Sequence, residues 1–293
     1  MDIQTSSNNS FSSDISSPSS LVSEPKTVDF LNLKFIRKLN ASRFPVYLVY
    51  SPQLDQYCAL KTFPFKNGTI NPSYQNESRF QVLNHPNVVS IVGCNDQQKT
   101  SCGNSLFYIS CILTTYASFG DFADLIIQQR LEQDEVLVRT FFHQLMDGLE
   151  YLHSNGVAHL DIKLENLLLG DDLNLKIADF DLAFAETDEI IKGRGTANFR
   201  APELKSQTCK NPKAADIYSA GIVLFSMLTG GFPYIEDTLI QGHNLQELMN
   251  NREETFWNLH EQLQHGITFD EEFKQLFLAM VNLNRSEEHT SEL

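Results

Sequence analysis

Two polar segments, His159-Leu160-Asp161-Ile162-Lys163-Leu164-Glu165-Asn166 and Asp179-Phe180-Asp181, constrain this chain more than any other feature. Asn155-Gly156 ends a helical pattern, while Leu167 to Leu169 and Leu175 to Ala178 read as short apolar strands with polar residues between them. The charged side chains therefore fall on loops leaving a small sheet, where a rigid scaffold can aim several of them at one point. Asp161, Lys163, Asn166 and Asp179 could then meet a single bound nucleotide. Taken one at a time, each would be an ordinary solvated loop residue or helix cap.

With Ala201-Pro202-Glu203 downstream, the two segments resemble the catalytic loop and metal-binding motif of eukaryotic protein kinases at that family's spacing. The resemblance runs from about Val28 to Asn284. It implies an α+β, two-lobed protein kinase fold: a small antiparallel-sheet N-lobe with one helix at 28–113, and a larger, mainly helical C-lobe at 114–284 that is truncated. The implied activity is serine/threonine protein kinase, moving the γ-phosphate of ATP, with Mg²⁺, to Ser/Thr hydroxyls of a protein substrate. Such transfer is mostly positioning and charge stabilisation. By match to the motifs, Asp161 accepts the hydroxyl proton, Lys163 offsets charge on the γ-phosphate, and Asn166 and Asp179 hold Mg²⁺ through hard oxygens. Lys61, in Ala59-Leu60-Lys61, takes the place of the strand lysine that contacts the α- and β-phosphates. Glu77, on a helix expected around Tyr74 to Leu83, is the candidate to orient it. Thr196, after Gly195, would bridge Asp161 and Lys163. Leu39, Val46, Ala59 and Leu168 fall where the family encloses adenine, Thr114 at the gatekeeper position, Thr115 and Ala117 in the hinge, and Asp121 near the ribose.

Three departures from the pattern matter. In Leu39-Asn40-Ala41-Ser42-Arg43-Phe44-Pro45-Val46 the family's three glycines become Asn40, Ser42 and Pro45. Glycines there let backbone N–H groups approach phosphates, and Pro45 has none to offer. Weak phosphate gripping keeps open an alternative class, a pseudokinase that serves as a binding or scaffold module. Leu160 replaces the arginine that pairs with a phosphorylated activation segment, so activity is expected not to depend on that phosphate; Thr187 is the remaining candidate switch. Asp181 stands in place of a glycine and adds a carboxylate near the metals. Lys163 and Gly195-Thr196 fit the serine/threonine-specific branch. Asp121 and Glu165 match positions that read an arginine before the phosphosite; equally, Asp121 could serve only the ribose while Glu165 is solvated.

The supporting helices are legible by period. Asp134 can cap a helix carrying Leu137, Val138, Phe141, Phe142, Leu145, Leu149 and Leu152 at helical spacing. Ala214 to Leu228 reads as a second, buried helix and Phe273 to Val281 as a third; in the second, Asp216-Ile217-Tyr218-Ser219-Ala220-Gly221 resembles the family's D-x-W-S-x-G, which implies that Asp216 anchors the catalytic-loop backbone. Strands are expected at Leu33 to Leu39, Val46 to Tyr50, Tyr57 to Phe63, Val88 to Val92 and Leu106 to Leu113.

Composition excludes more than it selects. A net charge of −15 over 293 residues argues against nucleic acid or an anionic membrane surface as the partner and favours basic peptides. Five scattered cysteines without a C-x-x-C pair suit reduced thiols in a cytoplasmic protein. Residues 1–27, rich in Ser and Asn, read as a disordered tail. Arg285 to Leu293 is what the string AGATCGGAAGAGCACACGTCTGAACTC encodes, which looks like a sequencing-library adapter, so 285–293 is expected to be foreign to the natural protein. On that reading the family's arginine partner of Glu203 is lost.

Overall fold

The computed structural model describes residues 28–40, 43–102, 105–128, 134–186, 188, 194–205, 209, 211–233, 245–263 and 267–282. Thr187, the segment 1–27 and the segment 285–293 lie outside the described residues. Five antiparallel strands come first: β1 (Lys34–Lys38), β2 (Val46–Ser51), β3 (Gln56–Pro64), β4 (Ile91–Cys102) and β5 (Ser105–Thr115), in the order β1-β2-β3-β5-β4. In β3, Lys61 and Phe63 are buried and, with Ala59, share a face by the period of two. Helix α1 (Pro72–Ser78) packs on that side through Tyr74, whose ring meets Phe63 at 5.6 Å.

Helix α1 starts earlier and stops sooner than Tyr74 to Leu83. Asn71 accepts a hydrogen bond from Ser73 N at 2.9 Å and Pro72 supplies a preset first turn, so the start is fixed locally. Past Ser78 the chain tightens into i to i+3 bonds, Phe80 N to Glu77 O and Leu83 N to Phe80 O, each 3.1 Å. The expected strand at Val88 also moves. Val88 bridges to Ile177 and Val89 N donates to Ile177 O at 2.9 Å, tying the small lobe to the large one before β4 begins at Ile91. Strand β5 carries the sheet past Leu113 to Thr115.

The second lobe holds α2 (Phe122–Ile127), α3 (Glu135–Ser154), α4 (Pro212–Thr229), α5 (Leu245–Leu263) and α6 (Glu271–Val281). Between α3 and α4 lie two small hairpin-like sheets, β6 (Val157–Ala158) with β9 (Phe184–Ala185) and β7 (Leu167–Leu169) with β8 (Leu175–Ile177). Asp134, Asn211 and Asp270 cap α3, α4 and α6 by accepting from Leu137 N, Ala214 N and Phe273 N at 3.0, 3.1 and 2.7 Å. Val138, Phe141, Phe142, Leu145, Leu149 and Leu152 form the buried stripe of α3, while Leu137 points outward. Nearly every residue of α4 is buried, which makes it the axis of the lobe. No helix among the described residues is long and apolar enough to cross a membrane.

His260 of α5 lies in this core, its ring 4.6 Å from Phe256 and 4.9 Å from Phe225. Burial pushes its pKa below the ordinary histidine value. The folded protein therefore holds a neutral imidazole where the unfolded chain takes up a proton near pH 6.5. Stability from this site is complete above that pH and falls as the pH drops toward the depressed folded value. A His260→Phe variant, which cannot titrate, should lose about 1 kcal/mol less stability than the parent between pH 7.5 and 5.5, measured by urea unfolding at both pH values.

Candidate active site

The loop after β6 is held by one buried carboxylate. Asp216 of α4 accepts from His159 N and Leu160 N, both at 2.7 Å, and its other near neighbour is His153 Nε2 at 2.9 Å. Leu160 has φ +62, a left-handed conformation that costs a residue with a Cβ roughly 1–3 kcal/mol. The two bonds to Asp216 and the burial of the Leu160 side chain in the apolar core hold it there. Asp161 follows with both oxygens engaged. Its Oδ1 accepts from Thr196 N at 2.7 Å and from Thr196 Oγ1 at 2.8 Å, and its Oδ2 lies 2.8 Å from Lys163 Nζ and 3.1 Å from Asn166 Nδ2. Lys163 also donates to Thr196 Oγ1 at 2.9 Å. Gly195 allows this approach: at φ +91, a Cβ would sit 2.5 Å from Leu160 O.

Lys61 is the second focus. Its Nζ lies 2.7 Å from Glu77 Oε2 and 2.6 Å from Asp179 Oδ1. Burial alone would favour a neutral amine, but the two carboxylates outweigh it and hold Lys61 above the ordinary lysine range. Burial, opposed by Lys61, pushes Glu77 up to about 7. Asp179 is also penalised by burial, yet Lys61 prevails and keeps it below the usual carboxylate range. Burial and the charge of Asp179 push Asp181 up to about 6. Asp179 has φ +68, which turns its carboxylate toward Lys61, while Phe180 packs inward against His159 at 5.0 Å and Phe80 at 5.7 Å.

A divalent cation fits this donor set. Glu77, Asp161, Asp179 and Asp181 crowd around the ammonium groups of Lys61 and Lys163, so carboxylates outnumber ammonium groups in the cluster. Asn166 commits its Nδ2 to Asp161, leaving a hard carbonyl oxygen for a metal, and Asp179 keeps 38% of its side chain open. Among the described residues no three His, Cys, Asp or Glu side chains converge as a closed metal site. An ion here would rest on Asn166, Asp179 and the phosphates it accompanies.

The expected nucleotide wall shares a face with Lys61. Val46 pairs with Lys61 across β2 and β3, Leu48 with Ala59, and Ala59 with Thr114 across β3 and β5. Leu39, Val46, Ala59 and Leu168 are each half-buried, whereas the β2 core residues Leu48 and Val49 and the direct neighbours Cys58, Leu167 and Leu169 are buried. Thr115 N donates to Ser90 O at 3.0 Å, so its backbone N–H is not open to a base; Ala117 follows two residues on. Asp121 caps α2 through Asp124 N at 2.9 Å and bridges to Leu168. Burial and nearby carboxylates, Glu165 among them, raise its pKa. A cavity of about 730 Å³ beside the hinge, lined by Tyr57, His85, Thr115, Tyr116 and Lys176 among others, contains none of Lys61, Asp161, Asn166 or Asp179.

The turn before β2, expected from the resemblance to cover the phosphates, is built differently from a glycine loop. Asn40 Oδ1 accepts from Val46 N at 3.1 Å, and Pro45 O accepts from Thr62 N at 3.0 Å. Phe44 is buried against Phe63 at 4.8 Å, and the Arg43 guanidinium lies over the Phe44 ring at 4.9 Å. Ala41 and Ser42 lie outside the described residues.

Sequence reasoning missed the residues that join α1 to the segment after Asp179. Asn76 Nδ2 donates to Asp181 O and Ala183 O, both at 2.9 Å, and reaches Phe180 O at 3.3 Å. Arg79 forms a two-pronged ion pair with Asp188. These partners are more than a hundred positions apart, and only the spacing of Asn76 and Arg79 around Glu77 hinted that they share a helix face. Glu203, expected to be left without its partner, is engaged in the structure.

Comparison with known proteins agrees with this geometry. Among curated relatives, CBL-interacting serine/threonine-protein kinase 8 of Arabidopsis thaliana is 42% identical over 129 residues, covering 43% of this chain and 28% of that protein. CBL-interacting protein kinase 9 of Oryza sativa subsp. japonica is 36% identical over 174 residues, covering 57% and 36%. Serine/threonine-protein kinase GIN4 of Saccharomyces cerevisiae is 35% identical over 159 residues, covering 54% and 13%. The aligned part thus spans well under half the length of each relative. The protein kinase domain family matches residues 45–292, and the chain belongs to that family.

Proposed function

We propose that this chain is an active serine/threonine protein kinase domain that transfers the γ-phosphate of ATP to protein hydroxyls. The observation that carries the reading is the joint assembly of Asp161, Lys163 and Thr196 with the Lys61, Glu77 and Asp179 set. Asp161 orients the acceptor hydroxyl and takes its proton as the new O–P bond forms and the bond to the ADP leaving oxygen breaks. Lys163, fixed between Asp161 and Thr196, offsets charge on the transferred group. Lys61 holds the α- and β-phosphates, and Glu77 keeps its ammonium in place. Magnesium, when bound at Asn166 and Asp179, neutralises the phosphate oxygens. Val46, Ala59 and Leu168 supply the apolar faces for adenine, with Leu39 at the rim.

The substrate preference we favour is an arginine before the phosphosite. Asp121 and Glu165 lie close enough to interact electrostatically, Glu165 is exposed, and a guanidinium would relieve their mutual repulsion. A second reading, a pseudokinase that binds nucleotide or a partner without transfer, draws support from the covering turn. Val46 N–H is spent on Asn40, and Pro45 has no N–H.

Labelled ATP, Mg²⁺ and a degenerate Ser/Thr peptide library decide between them. The kinase reading expects transfer that favours arginine before the acceptor and falls by about 10³-fold in Asp161→Asn. A well-folded parent chain that transfers nothing would leave the pseudokinase reading. Charge crowding gives a further expectation. At pH 7.5, above the value of about 6 to which Asp181 is pushed, its carboxylate is ionised beside Asp179 at a cost in stability. Asp181→Asn should therefore stabilise the metal-free protein by about 1 kcal/mol in thermal unfolding, with a smaller gain once Mg²⁺ and ATP are present.

A further inference from the structure

Helix α1 carries Glu77, so catalysis of the kind proposed above requires α1 to stay where Glu77 meets Lys61. Its seven residues make too short a helix to hold a position unaided. Two side chains, Asn76 and Arg79, fix it to the segment that follows Asp179. Asn76 donates to the carbonyls of Asp181 and Ala183. Arg79, at the C-cap, grips both oxygens of Asp188, with Nη1 2.6 Å from Oδ1. Arg194 donates to Leu182 O and Ala183 O at 3.0 Å, rigidifying the same stretch. Asp188 in turn accepts from Ala185 N at 2.9 Å, so its carboxylate is anchored in β9 and not merely reaching from a loop. The pairing of Arg79 with Asp188 keeps that carboxyl below its ordinary range. Meanwhile the position before Asp161, Leu160, is an apolar residue buried in the core and offers no cation to any activation-segment phosphate.

We propose that Asp188 and Arg79, supported by Asn76, form a built-in strut that holds α1 in its Lys61-pairing position, so that the genetically encoded carboxylate does the work a phosphate on this segment would otherwise do. Asp188 and Arg79 are positioning residues: neither touches Lys61, Asp161 or Asp179 in the contacts described. The pair is only partly buried, at 34% and 20% exposure of its side chains, and its energetic value is that of a well-formed, two-pronged surface pair. That is small for global stability but sufficient to shift the population of a short helix.

The inference rests on the kinase reading for its catalytic consequence but not for its structural one, and the experiment separates them. Arg79→Asp, Asp188→Arg and the double charge swap are compared in the full chain. Two readouts are used: steady-state peptide phosphorylation, and hydrogen exchange of the α1 amides without nucleotide. Each single variant should lose about fivefold in kcat with peptide KM unchanged, and its α1 amides should exchange faster. The double swap should recover kcat in part, because it restores the pair with α1 but Asp188→Arg cannot accept from Ala185 N, and it should restore protection of the α1 amides relative to either single variant. Phosphatase treatment of the parent should leave its rate unchanged. Harmless single variants, a swap that does not rescue, or a parent inactivated by phosphatase would each overturn the strut. A parent that transfers no phosphate, yet shows loosening in the singles and recovery in the swap, would keep the strut and overturn the kinase reading instead.

Discussion

Lys61 is one cation shared by two carboxylates from different parts of the chain, and the arrangement of the site depends on it. Glu77 comes from α1 and Asp179 from the loop after β8, so the 2.7 and 2.6 Å contacts fix a strand, a helix and a loop relative to one another. An ammonium at this depth without partners would be strongly penalised, and breaking a buried pair costs about 3–5 kcal/mol. The requirement runs in both directions. Glu77 is itself driven toward neutrality by burial, and Asp181 adds a further carboxylate, so Lys61 is the cation on which both Glu77 and Asp179 depend.

The second lobe solves a different problem, which is to hold a left-handed backbone at a residue that disfavours it. Leu160 at φ +62 and Asp179 at φ +68 are both strained, and they flank the loop that carries Asp161, Lys163 and Asn166. Asp216 stabilises the first from within the buried helix α4, so the Asp161 carboxylate is referenced to the core and not to the surface. Gly195 then brings Thr196 close enough to bond Asp161 twice. Rigidity at Asp161 is thus inherited through backbone bonds from a buried helix.

What the sequence made legible follows the range of the interactions involved. Residues that act through local chemistry were readable: Asp134 as a cap, the α3 stripe, and the polar run from His159 to Asn166 between two apolar strands. Asp216 could be assigned only through its resemblance to a family motif, and the structure shows the reason for the match in its two bonds to the backbone of His159 and Leu160. The contacts of Asn76 and Arg79 with the segment after Asp179 were not readable, since no periodicity or spacing relates residues so far apart. Boundaries suffered where two local signals competed. The apolar residues Phe80, Val82 and Leu83 suggested that α1 continues, but the chain tightens after Ser78 and buries Phe80 and Leu83 without a helix. Val88 had the composition of a sheet strand and instead bonds across to Ile177, an inter-lobe contact that strand propensity cannot foresee.

The covering turn shows how the same face can trade one kind of grip for another. A glycine loop holds phosphates by offering several backbone N–H groups; here Val46 N–H is closed off by Asn40 and the Phe44 ring is packed against Phe63. That packing gives the turn a hydrophobic anchor that glycines lack, and it extends through Phe63 to Tyr74 of α1. The turn is therefore tied to the same helix that carries Glu77. On the kinase reading proposed here, fewer phosphate contacts from this turn would shift the burden of nucleotide binding onto Lys61, Asn166 and Asp179. Those groups are already paired and oriented by Glu77, Asp161 and α1, so that reading asks for little further ordering on binding. In this architecture a weaker lid and a more firmly braced floor are complementary, and α1 is the element through which each is felt by the other.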